Sequence, residues 1–249
     1  CVPFADIAHR LAQLGVASLR YDKRTYTYAS TYTEEQINAM TVQEEVIDDA
    51  LLAVETLAKT PGIDADAIVL VGHSLGGMLA PRIAAQSGKV AGIVSLAGSA
   101  RGYLDIVYDQ NMAQTDDASQ QNVIKKEYKK IDKLKNMKDS DTLFGIPVPY
   151  LKDLYAHPVE ESLAQLDIPI LVMQGENDFQ MDTADYKSWQ KALENYAGEK
   201  EFVLWPELNH LFVRDTAFKR RGTIAEYLQE GHVDQAVTDK IASWMLKMN

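Results

Sequence analysis

The chain is short of several things at once. It has a single cysteine, Cys1, in 249 residues, which excludes an internal disulfide and leaves the redox compartment undecided. No run of 18 or more apolar residues occurs, so nothing has the length of a membrane-spanning helix, and no membrane partner is expected. Cations are scarce: 25 Lys and Arg stand against 36 Asp and Glu, a formal net charge of -11. Nucleic acid is therefore not an expected partner, because phosphate binding relies on clustered Lys and Arg. The one basic run, "KKEYKKIDKLKNMK" at 125–138, is interleaved with acids and with residues at helical spacing, and reads as the solvated face of a helix. Internal repeats and low-complexity tracts are missing too.

Apolar residues are not scarce. They make up 46% of the chain, enough for the core of one α/β domain or two small ones. Phe4, Ile7, Ala8, Leu11 and Leu14 fall at helical spacing, and "VASLRYD" after Gly15 predicts a short strand. The Tyr- and Thr-rich stretch that follows reads as loop. Thr41 and Glu44 have the spacing of a capping box before a helix carrying Ile47, Leu51, Val54 and Leu57. Strands are predicted at 67–71, in "VAGIVSLAG", in "IPILVMQG" and in "EKEFVLW", with helices between them and a last helix in "DQAVTDKIASWMLKM". Several of these strands are apolar on both faces. That pattern predicts an α/β fold with a parallel sheet covered on each side.

The alternation stops between Arg101 and Leu163, where the sequence offers polar helical stretches and the aromatic, Pro-containing "TLFGIPVPYLKDLYAHP" but no convincing strand. The expected organisation is thus a core of residues 1–101 and 164–249 interrupted by a helical cap at 102–163.

The segment "AIVLVGHSLGGMLAPRIAA", residues 67–85, runs a buried strand through G-x-S-x-G directly into a helix. At such a junction the serine takes strained backbone angles, glycines at 72 and 76 avoid collisions, and Gly77 adds room. The bland alternative is a plain turn of small residues, which the strand-to-helix placement disfavours. Ser74 is then exposed at the carboxyl edge of the sheet as a nucleophile, and the N–H of Leu75, at the start of the helix, becomes one oxyanion donor.

A serine hydroxyl needs a base and a group to orient it. Of the five histidines, His9 lies in the first helix, His73 inside the elbow, and His157 and His232 in polar segments with no strand before them. His210 alone follows a strand by a short loop and comes last in a Ser, acid, His order. The acid should lie at the end of the preceding strand, where "LVMQGENDFQMD" offers Glu176, Asp178, Asp182 and Asp185. Asp178 has the expected distance beyond the strand end. Asp182 and Glu176 stand as the alternatives, and the remaining acids read as solvated loop charges.

"VGHSLGG", "QGENDFQ" and "LNHLF", in this order and with "LRYDKRT" ahead of them, resemble the α/β-hydrolase superfamily. Within it they look like the bacterial esterase-like serine hydrolases grouped with serine aminopeptidases and dienelactone hydrolases. The ending "GTIAEYLQEGHVDQAVTDKIASWM" is similar as well, so the resemblance covers nearly the whole chain. It implies an α/β-hydrolase fold with Ser74 as nucleophile, Asp178 as acid and His210 as base, a small-molecule ester as substrate, and no metal or organic cofactor. Family members carry a strand and an oxyanion loop just ahead of a helix like "PFADIAHRLA". This sequence begins after them and lacks an initiator Met. The expectation is therefore that an upstream segment of the same protein supplies a strand between "VASLRYD" and "AIVLVG", together with the second oxyanion donor.

Substrate choice falls to the cap. Tyr103, Phe144, Tyr150 and Tyr155 are the candidate pocket residues, with Tyr108, Met112, Ile146 and Leu154 beside them, and each could equally serve to pack the cap on the sheet. Ester hydrolysis competes with peptide or amide hydrolysis, which would want a cap carboxylate to hold a substrate amine. Thioester hydrolysis or acyl transfer, and a noncatalytic binding role, complete the alternatives.

Overall fold

The computed structural model describes residues 3–215, 227–228 and 230–248. The part of the C-terminal resemblance that falls at 222–226 and 229 lies outside the described residues. Six strands are present among them: β1 (Val69–His73), β2 (Gly92–Leu96), β3 (Thr142–Leu143), β4 (Ile146–Pro147), β5 (Ile170–Gly175) and β6 (Lys200–Trp205). The helices are α1 (Pro3–Gln13), α2 (Arg24–Thr27), α3 (Glu34–Ala39), α4 (Asp48–Ala58), α5 (Leu75–Ser87), α6 (Tyr103–Ala113), α7 (Ala118–Tyr128), α8 (Val148–Ala156), α9 (Val159–Leu163), α10 (Thr183–Ala192) and α11 (Gln235–Met245).

The main sheet has the order β1-β2-β5-β6, and every pairing in it is parallel. Parallel neighbours need crossover connections, and α5 and α10 provide two of them. β2 and β5 are buried along their entire lengths, which explains why their sequences show no polar alternation. Ile93, Ile170 and Val172 join a core with Met78, Ala80 and Ala84 of α5 and Trp189 of α10. Val94, Leu96, Leu171 and Met173 join a second core with Ile7 and Leu11 of α1 and Val237 and Ile241 of α11. Each sheet face thus has its own helical cover, as a strand apolar on both sides requires.

Between β2 and β5 run α6, α7, a 3-10 stretch at Lys129–Asn136, the β3–β4 ladder, α8 and α9. Leu104, Leu134, Leu143, Val148 and Leu151 form a separate buried cluster there. The sequence predicts no strand in this stretch, yet β3 and β4 pair antiparallel. Phe144 and Gly145 join them, both with positive φ (54° and 75°), the pattern of a two-residue hairpin turn, which glycine favours and Phe does not. A buried ion pair ties this segment to the core: Arg82 of α5 meets Asp153 of α8 at 2.9 Å.

The expected capping box is formed. The Thr41 N–H donates to Glu44 Oε2 at 2.9 Å and the Glu44 N–H to Thr41 Oγ1 at 3.4 Å. The helix it opens begins as a π-turn at Gln43–Ile47 before continuing as α4. One predicted strand is absent: "VASLRYD" forms no ladder, and residues 17–23 are exposed. A strand needs a neighbour for its N–H and C=O groups, and among the described residues none pairs with it. β1 correspondingly pairs with β2 on one side only among the described residues, and most of it is only half-buried although it is apolar.

Candidate functional site

Ser74 sits at the junction of β1 and α5 with φ 54° and ψ -119°, outside the regions that L-residues favour. Three hydrogen bonds hold it there. Its N–H donates to the Leu96 carbonyl at 2.8 Å, and its own carbonyl accepts from the N–H groups of Gly77 (2.9 Å) and Met78 (3.1 Å). The glycines around it carry unequal loads. A Cβ at Gly72 would lie 2.2 Å from the Gly76 carbonyl oxygen, and one at Gly77 would lie 2.6 Å from Ser95 Oγ. At Gly76 a Cβ would meet nothing within 4 Å. The expected collision at 76 is therefore corrected: Gly76 contributes the carbonyl that excludes a side chain at 72. Leu75 is the first residue of α5, so its N–H belongs to the helix end that lacks intrahelical partners.

Asp178 lies three residues beyond the end of β5, and it is 2% exposed. Its Oδ1 accepts from the N–H groups of Gln180 (2.8 Å) and Met181 (2.9 Å). Its Oδ2 accepts from Gln174 Nε2 (2.9 Å) and lies 2.7 Å from His210 Nδ1. Four donors therefore surround a carboxylate that water hardly reaches. His210 is 3% exposed. With Nδ1–H directed at Asp178, its Nε2 is left as the basic nitrogen.

The loop bearing His210 is held by a residue that sequence reasoning missed. Asn209, buried, accepts through Oδ1 from the N–H groups of Leu211 (3.0 Å) and Val213 (3.1 Å). An Asn closing a turn on its own backbone is a recognisable local signal, and here it directly precedes the histidine. Gln174, on β5 and four residues before Asp178, was also missed. Its amide braces both Asp178 and the Met181 carbonyl, the latter at 2.7 Å.

The other acids do different work. Asp182 caps α10, accepting from the Ala184 N–H at 2.6 Å, and Asp185 completes that box by accepting from the Asp182 N–H at 3.0 Å. Burial raises the Asp185 carboxyl to about 6. His73 lies against His210, with ring centroids 4.6 Å apart. His157 bonds within its own helical turn and His232 pairs with Asp6.

Of the four candidate pocket residues, three tyrosines and one phenylalanine, two line one cavity. Tyr103 and Tyr155 line a cavity of about 190 Å³ together with Met78, Leu79 and Leu154. Phe144 is at the β3–β4 turn, and the Tyr150 hydroxyl donates to Glu45 at 2.8 Å. Tyr155 also accepts from the Leu104 N–H at 3.1 Å, a packing role. Among the described residues no group of three or more His, Cys, Asp or Glu side chains is placed to hold a metal ion, and no helix is long and apolar enough to cross a membrane.

Residues 1–217 match the family described as "Serine aminopeptidase, S33". The chain belongs to this family of hydrolases. It is also 33% identical over 246 residues to Esterase EstD of Thermotoga maritima, covering 98% of this chain and 57% of that protein. The chain thus spans little more than half the length of that curated relative. Among solved structures it is similar to Est1E from Butyrivibrio proteoclasticus, with TM-score 0.61, 17% identity, and coverage of 99% of this chain and 81% of that one. It is similar too to dipeptidyl peptidase 4 of Porphyromonas gingivalis, with TM-score 0.51, 14% identity, and coverage of 86% and 24%. At such identities the likeness speaks for the fold, which is that of the α/β-hydrolases. The serine aminopeptidase S33 match reaches from α1 through the loop that carries His210, so β1, α5 and all three candidate residues fall inside it.

Proposed function

We propose that this chain carries the catalytic machinery of a serine esterase, with Ser74 as nucleophile, His210 as base and Asp178 as the acid that orients it. The single observation that carries the reading is the buried 2.7 Å contact between Asp178 and His210 on the loops after β5 and β6, at the same sheet edge as the strained Ser74. His210 Nε2 takes the Ser74 proton as the oxygen attacks an ester carbonyl. Asp178 holds the Nδ1–H tautomer and stabilises the imidazolium that forms. The Leu75 N–H receives the developing oxyanion. His210 then protonates the leaving alcohol, and water attacks the acyl-enzyme by the same route in reverse.

Residues 102–163 act in this reading as a cap over the core; the lining of the cavity walled by Tyr103 and Tyr155 includes none of Ser74, Leu75, Asp178 and His210, so acyl or alcohol binding is not assigned to it. Amide or peptide hydrolysis is the second reading, favoured by the family's description. It would require a cap carboxylate free to hold a substrate amine. Several cap carboxylates are already engaged: Asp105 with Tyr128, Asp109 with Arg101, Glu127 with Lys130, Asp139 with Lys152 and Asp153 with Arg82. Glu160, by contrast, lines the cavity walled by Tyr103 and Tyr155, so these commitments alone do not separate esters from amino-terminal substrates.

The open side of β1 is the proposed place of a further strand from outside residues 1–249, bringing the second oxyanion N–H with it. Losing one such donor lowers turnover by roughly 100- to 1,000-fold. p-Nitrophenyl esters of graded acyl length, assayed beside aminoacyl p-nitroanilides, test the reading. Turnover of the esters alone supports it, and turnover of the anilides alone replaces it with the second. A longer polypeptide that includes the preceding segment should exceed residues 1–249 alone. Equal rates would remove the strand proposal.

A further inference from the structure

His73 ends β1 and is bonded directly to Ser74, yet its contacts are with the base. Its Nε2 lies 2.8 Å from the backbone carbonyl oxygen of His210, 137 residues away in sequence. Its ring packs on the His210 ring at 4.6 Å between centroids and 56° between planes, and Phe4 closes the far side edge-on at 5.8 Å. A carbonyl only accepts, so Nε2 carries the proton and donates.

We propose that His73 is a positioning residue for the reaction: its Nε2–H anchors the backbone of His210 while its ring seats the imidazole. The proposal rests on the reading of Ser74 and His210 as nucleophile and base. Its logic is one of short mechanical paths. Asp178 fixes the orientation of the His210 ring and Asn209 the shape of its loop, but both belong to the β5 and β6 side of the sheet. Among the described residues His73 alone hydrogen-bonds the base from the strand that carries the nucleophile, through one hydrogen bond and one peptide link. A shift of the end of β1 therefore moves nucleophile and anchor together.

The charge state suits the role. Burial, followed by the proximity of His210, lowers the His73 imidazole to about 4. His73 therefore stays a neutral donor while His210 cycles through its imidazolium, and it adds no repulsion to that cation.

The test compares His73→Leu, which keeps bulk and loses the donor, with His73→Gln, whose amide Nε2–H reaches a similar point. With a p-nitrophenyl ester as substrate, His73→Leu should lose about 10- to 100-fold in kcat, the scale of a displacement of up to an ångström, with KM nearly unchanged. His73→Gln should recover most of the loss. A merely structural histidine would instead give matched losses in both variants that follow melting temperature. Wild-type kcat in His73→Leu, or no recovery in His73→Gln, overturns the proposal. If His73→Leu does not fold, His73→Asn replaces it: its amide is too short for the carbonyl, so kcat should again fall, and wild-type kcat overturns the proposal. His210→Ala separates the two levels of inference. Full activity in that variant removes the base assignment itself, whereas activity that needs His210 and ignores His73 removes only the positioning role.

Discussion

Asp178 Oδ2 lies 2.7 Å from His210 Nδ1, with both side chains almost sealed from solvent, and the same oxygen accepts a second hydrogen bond from Gln174. The carboxylate therefore dictates the tautomer of the imidazole. Asp178→Asn should lower kcat by roughly 10⁴-fold, since an amide can present its NH₂ to Nδ1 and stabilise the wrong tautomer. Asp182→Asn, four residues on, should leave kcat near wild type and change stability by only a few tenths of a kcal/mol, because Asn also caps helices. Steady-state kinetics on both variants check this. A larger loss for Asp182→Asn would mean that the orienting acid is misassigned.

Strain at Ser74 gives a stability signature. A non-glycine residue held in sparsely populated backbone space costs about 1–3 kcal/mol, while glycine adds about 0.5–1 kcal/mol of unfolded-state entropy. Ser74→Gly should therefore be more stable than Ser74→Ala by about 1 kcal/mol, with both inactive. Urea midpoints measured side by side provide the check, and equal midpoints would argue that the turn is not strained.

His73, half-buried, and Asp185, buried, should bend the pH dependence of stability in opposite directions. His73 is lowered to about 4 in the fold, chiefly by burial, so its contribution is present above its unfolded value near 6.5 and lost as pH falls toward 4. Asp185 is raised to about 6, again chiefly by burial. Its contribution is present below its unfolded value near 3.9 and lost as pH rises through 6. Relative to wild type, His73→Gln should gain melting temperature on going from pH 6.5 to 4, and Asp185→Asn should gain it on going from pH 4 to 6. Thermal melts across that range read both signs.

Arg82 and Asp153 form a pair whose side chains are 7% and 12% exposed, and Arg82 Nε and Nη1 have no hydrogen-bond partner among the described residues. Removing Asp153 alone strands a buried cation. Asp153→Ala should cost about 3–5 kcal/mol, whereas Arg82→Met with Asp153→Asn, whose amide oxygen can still accept from the Gln43 N–H, should cost less. Urea unfolding of the two variants distinguishes the cases, and an equal loss in both would show that the pair itself supplies the stability.

Much of this was legible in the sequence because it is local. The elbow, the runs that become β2 and β5, and the Thr41–Glu44 box each announce themselves within a dozen residues. What was not legible is pairing across distance. "VASLRYD" reads as a strand, but strand formation depends on a neighbour, and the segment stays exposed without one. The Phe144–Gly145 turn was hidden by a Phe where hairpins favour Asn, Asp or Gly. The contact between His73 and His210 spans 137 residues and has no periodicity to betray it. Gly76 misled in the opposite sense: it belongs to the motif, yet the steric demand falls on Gly72 and Gly77.

The central claim is that Ser74 is made nucleophilic by His210 and Asp178, and covalent labelling tests it most directly. Peptide mapping after treatment with a fluorophosphonate should find one adduct, on Ser74, and its rate of formation should collapse in His210→Ala and Asp178→Asn. Ser95 and Ser99 are buried and should stay unmodified. An adduct on either of them, or labelling of Ser74 at an unchanged rate without His210, would contradict the account.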